Sequence, residues 1–324
     1  WRNIMGIEGM LWTYSMTGNR ALLDYAVAEW EAGSAFELNM DEIMSDRSPY
    51  MHGVTYCEEM KLPMLLYAYT GEQKYLDAAV RADEKLLRHH LLPDGVPSSN
   101  EHLDGNDPLT SHETCDITDY TWSLGYYLMT TGDAVYADAI EKAVFNAGPG
   151  AVTKDFKALQ YFSSVNQFIA TGDSDHNEFK KGSTWMAYRP THETECCAGN
   201  VHRFMPNYVS RMWLEGETEG ELVAAMYGPS EVRHELPDGN VVTVTEDTAY
   251  PFGNEIRFVF SLDKSARFPF TFRVPSWCGY AEIRINGSGY DVIPDEKGFS
   301  TIERRFRDGD VLTLVLDMPV EVRG

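Results

Sequence analysis

Hydrophobic positions change period once along this chain. Up to about residue 215 they recur three and four apart, starting with Ile4, Ile7, Met10, Leu11 and Tyr14. That spacing builds one buried helix face. Three Thr-Gly pairs punctuate the pattern: Thr17-Gly18, Thr70-Gly71 and Thr131-Gly132. Each is followed at the same interval by an aspartate, Asp24, Asp77 and Asp138. Each pair ends a stretch rich in Leu, Met and Tyr and precedes one rich in Ala. Glycine readily takes the left-handed conformation just past a helix end, and a polar residue after it can open the next helix. The pattern predicts three helical hairpins. Their unequal spacing argues against a short-repeat solenoid and suits hairpins set around a ring, with functional loops between them.

Two long irregular segments interrupt the helices. Residues 93–108 are rich in Gly, Pro, Asn and Asp and hold Glu101, His102, Asp104 and Asp107. Residues 150–195 are polar, with short strands expected at 159–162 and 165–168. A helix is expected after Cys196-Cys197, packing through Phe204, Tyr208, Met212 and Trp213.

Near Gly216 the period becomes two. Ile256, Phe258 and Phe260 alternate, as do Phe268, Phe270, Phe272 and Val274, then Ala281, Ile283 and Ile285, then Leu312, Leu314 and Leu316. Asn286-Gly287 and Asp308-Gly309 are turn signals. Several short strands joined by turns imply an antiparallel β-sandwich. The chain thus reads as a helical domain over residues 1–217 and a sandwich over 218–324.

Composition narrows the partners. The length of 324 residues fits about two domains. With 27 basic against 50 acidic residues the net charge is −23, which repels nucleic acid and anionic membrane surfaces. No run of about 18 apolar residues exists, so no transmembrane helix is expected. Trp1 opens directly into a helical pattern with no signal peptide before it, so the chain is expected to begin inside a larger one, and neither compartment nor oligomeric state is encoded.

Five cysteines in a chain this long do not form a disulfide framework. Three of them fall in two motifs, Glu113-Thr114-Cys115 and Glu195-Cys196-Cys197. Adjacent cysteines pair with each other only under strain, but both can ligate one zinc ion beside a carboxylate. One reading is a zinc site with three thiolates and a glutamate. The other is three buried free thiols, with Glu113 a solvated carboxylate at a helix start. Cys57 and Cys278 read as core thiols.

Glu113-Thr114-Cys115, the run Glu195-Cys196-Cys197-Ala198-Gly199-Asn200, Phe272-Arg273-Val274-Pro275-Ser276-Trp277-Cys278 and Arg284-Ile285-Asn286-Gly287 together resemble the β-L-arabinofuranosidases of glycoside hydrolase family 127. The resemblance covers most of the chain. It implies an (α/α)6 barrel followed by a β-sandwich, zinc held by one Glu and three Cys, and a Cys that attacks the sugar. Matched motif by motif, the zinc ligands would be Glu113, Cys115, Cys196 and Cys197, and Cys196 the nucleophile. Glu101, in the loop before Glu113, is the best match for the acid/base. His52, Glu58 and His192 are the candidate sugar-holding residues, His112 and His192 flank the two motifs, and Tyr161, Trp122 and Trp185 are candidates for a stacking wall. The chain has fewer helices than a full barrel needs, so the toroid is expected to be incomplete at its start.

One departure bears on specificity. The helix 56–61 lacks the histidine that the family's arabinofuranosidases carry there, and His52 lies nearby without matching cleanly. The expected function is a retaining glycosidase with a zinc-bound thiolate nucleophile, releasing β-L-arabinofuranose or a related sugar from plant polysaccharide or glycoprotein glycans. Two alternatives stand beside it: hydrolysis of a carboxylated pectic sugar of the aceric acid type, and a carbohydrate-binding scaffold with structural zinc, since closed four-ligand shells are usual in structural sites. A sugar epimerase would need paired histidines and leaves the two cysteine motifs unexplained.

Overall fold

The computed structural model describes residues 3–33, 37–107, 109–167, 169–174, 184–192 and 196–322. The chain divides into two compact units, Trp1–Thr131 with Ala139–Asn207, and Gly132–Asp138 with Tyr208–Gly324.

The Thr-Gly pairs end helices as their sequence predicts. Helix Gly6–Thr17 turns into Arg20–Ala32, Lys61–Thr70 into Gln73–His89, and Thr114–Thr131 into Ala134–Phe145. Gly18 and Gly71 sit at φ 67° and 71°, and their N–H groups donate to the Tyr14 and Tyr67 carbonyls at 2.8 Å. Asn19 then caps the second helix by accepting from the Ala21 N–H at 3.2 Å. Buried tyrosines lock helix to helix. The Tyr56 hydroxyl donates to the Ala82 carbonyl, and that of Tyr127 contacts the Met60 and Ala79 carbonyls, all at 2.9 Å. Each such bond spares a buried hydroxyl the penalty of about 1–3 kcal/mol for having no partner. Among the described residues the helices do not close a barrel.

Two small antiparallel pairs carry the loops of this unit. Strand β1 (Ser99–Asn100) pairs with β2 (His102–Leu103), and β3 (His112–Glu113) with β4 (Phe162–Ser163). The first strand expected in the long loop is thus shortened to β4, while Leu159 makes only isolated bridges to Val152 and Arg189. Val165 and Asn166 form a turn in place of the second expected strand, whose Phe168 lies outside the described residues. The helix expected after the cysteine pair starts at the pair itself, Cys196–Asn200, and continues through Val201–Arg203 to Phe204–Val209.

The second unit is a two-sheet sandwich. Its strands are β5 (Trp213–Glu215), β6 (Leu222–Ala224), β7 (Ser230–Glu235), β8 (Val241–Thr248), β9 (Glu255–Leu262), β10 (Ala266–Arg273), β11 (Ala281–Ile285), β12 (Ser288–Tyr290), β13 (Phe299–Phe306) and β14 (Val311–Leu316). One sheet runs β13-β10-β6-β5, the other β12-β11-β14-β9-β8-β7. All neighbours are antiparallel except β6 and β10. The alternating residues face inward: Phe258, Phe260, Phe270, Leu312 and Leu314 are fully buried. Rings meet from sheet to sheet, Phe260 on Phe306 at 4.3 Å and Phe258 on Phe270 at 5.1 Å. Asn286 and Gly287, at φ 50° and 83°, form the two-residue β11–β12 hairpin. Asp308-Gly309 instead carries the chain from one sheet to the other. Cys278, read as a core thiol, is only half-buried, whereas Cys57 is fully buried.

Arg273 ends β10 with 0% exposure. Its guanidinium pairs with Asp138, donates to the Ala225 carbonyl at 2.7 Å and lies over the Tyr227 ring at 5.4 Å. Removing Arg273 leaves the largely buried Asp138 carboxylate with the Ser276 N–H at 2.8 Å but without its counter-ion, and losing one partner of such a pair typically costs about 3–5 kcal/mol. Arg273→Ala is expected to lower the midpoint of thermal or urea unfolding by a corresponding amount. A midpoint within a degree of the parent would show that the pair carries no net stability.

Candidate active site

Two short ladders and one helix start bring the motifs together. In the β3–β4 ladder Glu113 faces Phe162, and the Thr114 N–H donates to the Tyr161 carbonyl at 2.9 Å. The β1–β2 pair leaves Glu101 as its single turn residue, at φ 73°. Its carbonyl is held by the Gly53 N–H at 2.8 Å. The helix starting at Cys196 presents the adjacent thiols.

The acidic groups of Glu113, Cys115, Cys196 and Cys197 lie within 4.8 Å of one another. The Cys115 and Cys197 sulfurs are 3.3 Å apart, and Glu113 Oε1 lies 3.3 Å from Cys196 Sγ and 3.4 Å from Cys197 Sγ. The Asn200 amide donates to Cys115 Sγ at 3.2 Å, and Asp116 accepts the Glu113 N–H at 2.9 Å. Glu113, Cys115 and Cys197 are buried, while Cys196 is exposed. Glu113 is therefore no solvated helix-start carboxylate, and Cys196 is no buried thiol.

Electrostatics separate the four groups. Burial, then the charge of Asp116, pushes Glu113 well above the usual carboxylate range. Burial raises Cys197, and a hydrogen bond with Cys196 raises Cys115. Hydrogen bonds from Cys115 and then Cys197 pull Cys196 far below the usual thiol range. Among the described residues Glu113 Oε2 is buried with no hydrogen-bond partner, His52 Nε2 lying 4.0 Å away. No lysine or arginine pairs with Glu113 among the described residues. Three sulfurs, one carboxylate with an unsatisfied oxygen and no fixed cation make a donor set that fits a soft divalent metal such as zinc.

Across from Cys196 stands Glu101. The Tyr161 hydroxyl lies 3.0 Å from Glu101 Oε1 and 3.2 Å from Cys196 Sγ, touching both. His52 Nε2 is 3.4 Å from Glu101 Oε2. The Thr55 N–H donates to His52 Nδ1 at 3.2 Å, so the neutral ring carries its proton on Nε2, facing the carboxylate. The His52 hydrogen bond, opposed by burial and helped by Tyr161, holds Glu101 below the ordinary glutamate range.

Residues 3–210 match the family described as "Beta-L-arabinofuranosidase, GH127 catalytic domain", and residues 221–318 match its middle domain. The chain belongs to glycoside hydrolase family 127. Over 270 residues it is 21% identical to a non-reducing end β-L-arabinofuranosidase of Bifidobacterium longum subsp. longum, covering 78% of this chain and 38% of that enzyme. A solved GH127 β-L-arabinofuranosidase of Geobacillus stearothermophilus T6 superposes with a TM-score of 0.76 at 21% identity, over 97% of this chain and 54% of that one. A second solved GH127 β-arabinofuranosidase gives 0.79 at 17% identity, over 96% and 51%. The GH127 fold is therefore shared, and the chain spans about half or less of the length of these relatives.

The other candidate residues take varied places. His192 is buried, with Nε2 at 3.0 Å from the Leu159 carbonyl and its ring edge-on to Tyr161 at 6.2 Å. His112 pairs with Asp94 at 2.8 Å. Glu58, half-buried on helix Gly53–Glu59, lies outside the metal-type clusters. Trp122 donates to Glu8 at 3.0 Å. Trp185 packs on Tyr161 at 4.3 Å, and Tyr161 itself is 1% exposed. Tyr161 thus offers the site its hydroxyl rather than a stacking face. Nothing in the sequence marks Asp116; Asn200 belongs to the cysteine-pair run that carries the resemblance, but its bond to Cys115 is set by the fold. Glu195 lies outside the described residues.

Proposed function

We propose that this chain carries the catalytic part of a retaining glycoside hydrolase that releases β-L-arabinofuranose from a glycan, with Cys196 as nucleophile and Glu101 as acid/base. The observation that carries this reading is the single Tyr161 hydroxyl touching both Cys196 and Glu101. A nucleophile and a proton donor flanking one small space is what double displacement at a sugar carbon requires. The exposure of Cys196 beside three buried partners favours the same reading over a scaffold, since a structural site has no need of an open sulfur.

Glu113, Cys115, Cys196 and Cys197 would hold the zinc, which keeps a coordinated thiol deprotonated at neutral pH. The Cys196 sulfur attacks the anomeric carbon, the carbon–oxygen bond to the leaving group breaks, and Glu101 gives its proton to the departing oxygen. Bound substrate excludes water, and burial together with the charge on Cys196 then favours the protonated Glu101 needed for this step. In the second half Glu101 takes a proton from water. The water oxygen bonds to the anomeric carbon, the carbon–sulfur bond breaks, and the thiolate returns. Two inversions retain the configuration. Throughout, His52 and Tyr161 hold the Glu101 carboxyl in place.

Protein purified without chelator is expected to contain one zinc per chain by elemental analysis, and Cys115→Ser is expected to lose most of it, because a soft ligand is removed. Substoichiometric metal with all three cysteines freely alkylated would leave only the buried-thiol reading.

A further inference from the structure

Beside the site the helical unit opens into a cleft of about 1600 Å³, lined among others by Glu37, Asp41, Tyr50, His52 and His102. That volume exceeds what a single sugar ring fills. His52 belongs both to this wall and to the hydrogen bond on Glu101. His102 follows Glu101 directly and forms a bridge with His52. Its ring stacks on Tyr50 with centroids 5.4 Å apart and planes 23° from parallel. Tyr50 is 79% exposed and makes this contact at the cleft wall. A large exposed aromatic ring held flat in a cleft presents an apolar face while leaving its hydroxyl in water.

Where this platform lies decides what it meets. The acid/base of a glycosidase protonates the oxygen of the departing group, so a wall that reaches Glu101 through His52 is assigned to the leaving-group side. The same wall is acidic. Glu31 is neutralised by Lys74 at 2.7 Å and Glu42 by Arg47 at 2.8 Å, but Glu37 and Asp41 have no cationic partner among the described residues. Among the described lining residues four carboxylates face one cation, Arg47, so a carboxylated sugar would meet an excess of like charge there. A neutral sugar brings hydroxyls that donate to those carboxylates and a ring face that covers the aromatic pair.

We propose that the stacked rings of Tyr50 and His102, with the cleft they line, form the leaving-group subsite, and that it takes an uncharged sugar unit rather than a uronate. This rests on the assignment of Glu101 as acid/base. The test compares two probes on the full chain: methyl β-L-arabinofuranoside, whose leaving group has no ring, and a disaccharide in which a second arabinose is the leaving group. For Tyr50→Ala the ratio of kcat/KM on the disaccharide to that on the methyl glycoside should fall about tenfold or more, the loss of one good ring contact. Tyr50→Phe should restore it. Saturation-transfer NMR of the wild type with neutral arabinobiose and with digalacturonate should show a Tyr50-dependent signal for the neutral sugar alone. An unchanged ratio, or stronger transfer to digalacturonate, overturns the subsite. A wild type that hydrolyses neither arabinoside yet still shows Tyr50-dependent binding of arabinobiose overturns the hydrolase reading and keeps the subsite.

Discussion

Cys196→Ser should abolish turnover, with kcat/KM down by roughly a thousandfold or more. A serine hydroxyl ionises far less readily than a thiol, and the change also removes one sulfur from the four-group cluster. The measurement is initial rate on an aryl β-L-arabinofuranoside, with circular dichroism to show that the fold persists. Cys196 is the exposed member of its cluster, so the substitution should be tolerated structurally. Full activity in the variant would remove Cys196 from the nucleophile's role.

Glu101→Gln should fail in a different way. With a natural glycoside the first step needs a proton, and the loss should be roughly a hundredfold to ten-thousandfold. With an activated aryl glycoside the leaving group departs unaided. The sugar should then accumulate on Cys196, because no base activates water for the second step. Intact mass after incubation should show one added sugar, and a peptide map should place it on Cys196. An adduct on another residue would remove Cys196 from the nucleophile's role, and normal turnover with no adduct would remove Glu101 from that of acid/base.

Features that rest on local chemistry were legible in the sequence. The Thr-Gly hairpins could be read because glycine's left-handed freedom decides where a helix stops, and Gly18 and Gly71 do adopt that conformation. The inward phenylalanines of the sandwich could be read because strand period is fixed by geometry. The paired cysteine motifs could be read because few residue types bind soft metals. Features that depend on distant pairing were hidden. No local signal sets β6 parallel to β10, or makes Asp308-Gly309 a crossing between sheets rather than a hairpin. Tyr161 sits in a segment without period, where nothing distinguishes a ring that stacks from a hydroxyl that bridges. Only its burial between Phe162 and Trp185 decides that. Glu101 was reached through resemblance, and its setting as the single turn residue between two short strands is a tertiary result.

That setting places two demands on one residue. At φ 73° the backbone favours glycine, and a side chain with a Cβ is strained there by roughly 1–2 kcal/mol. The proposed reaction needs a long carboxylate at the same position. A glycine would relax the turn and silence the chemistry. Selection for stability and selection for activity therefore pull in opposite directions at residue 101, and a search for more heat-resistant variants of this chain would drift toward folds that hold well and do nothing.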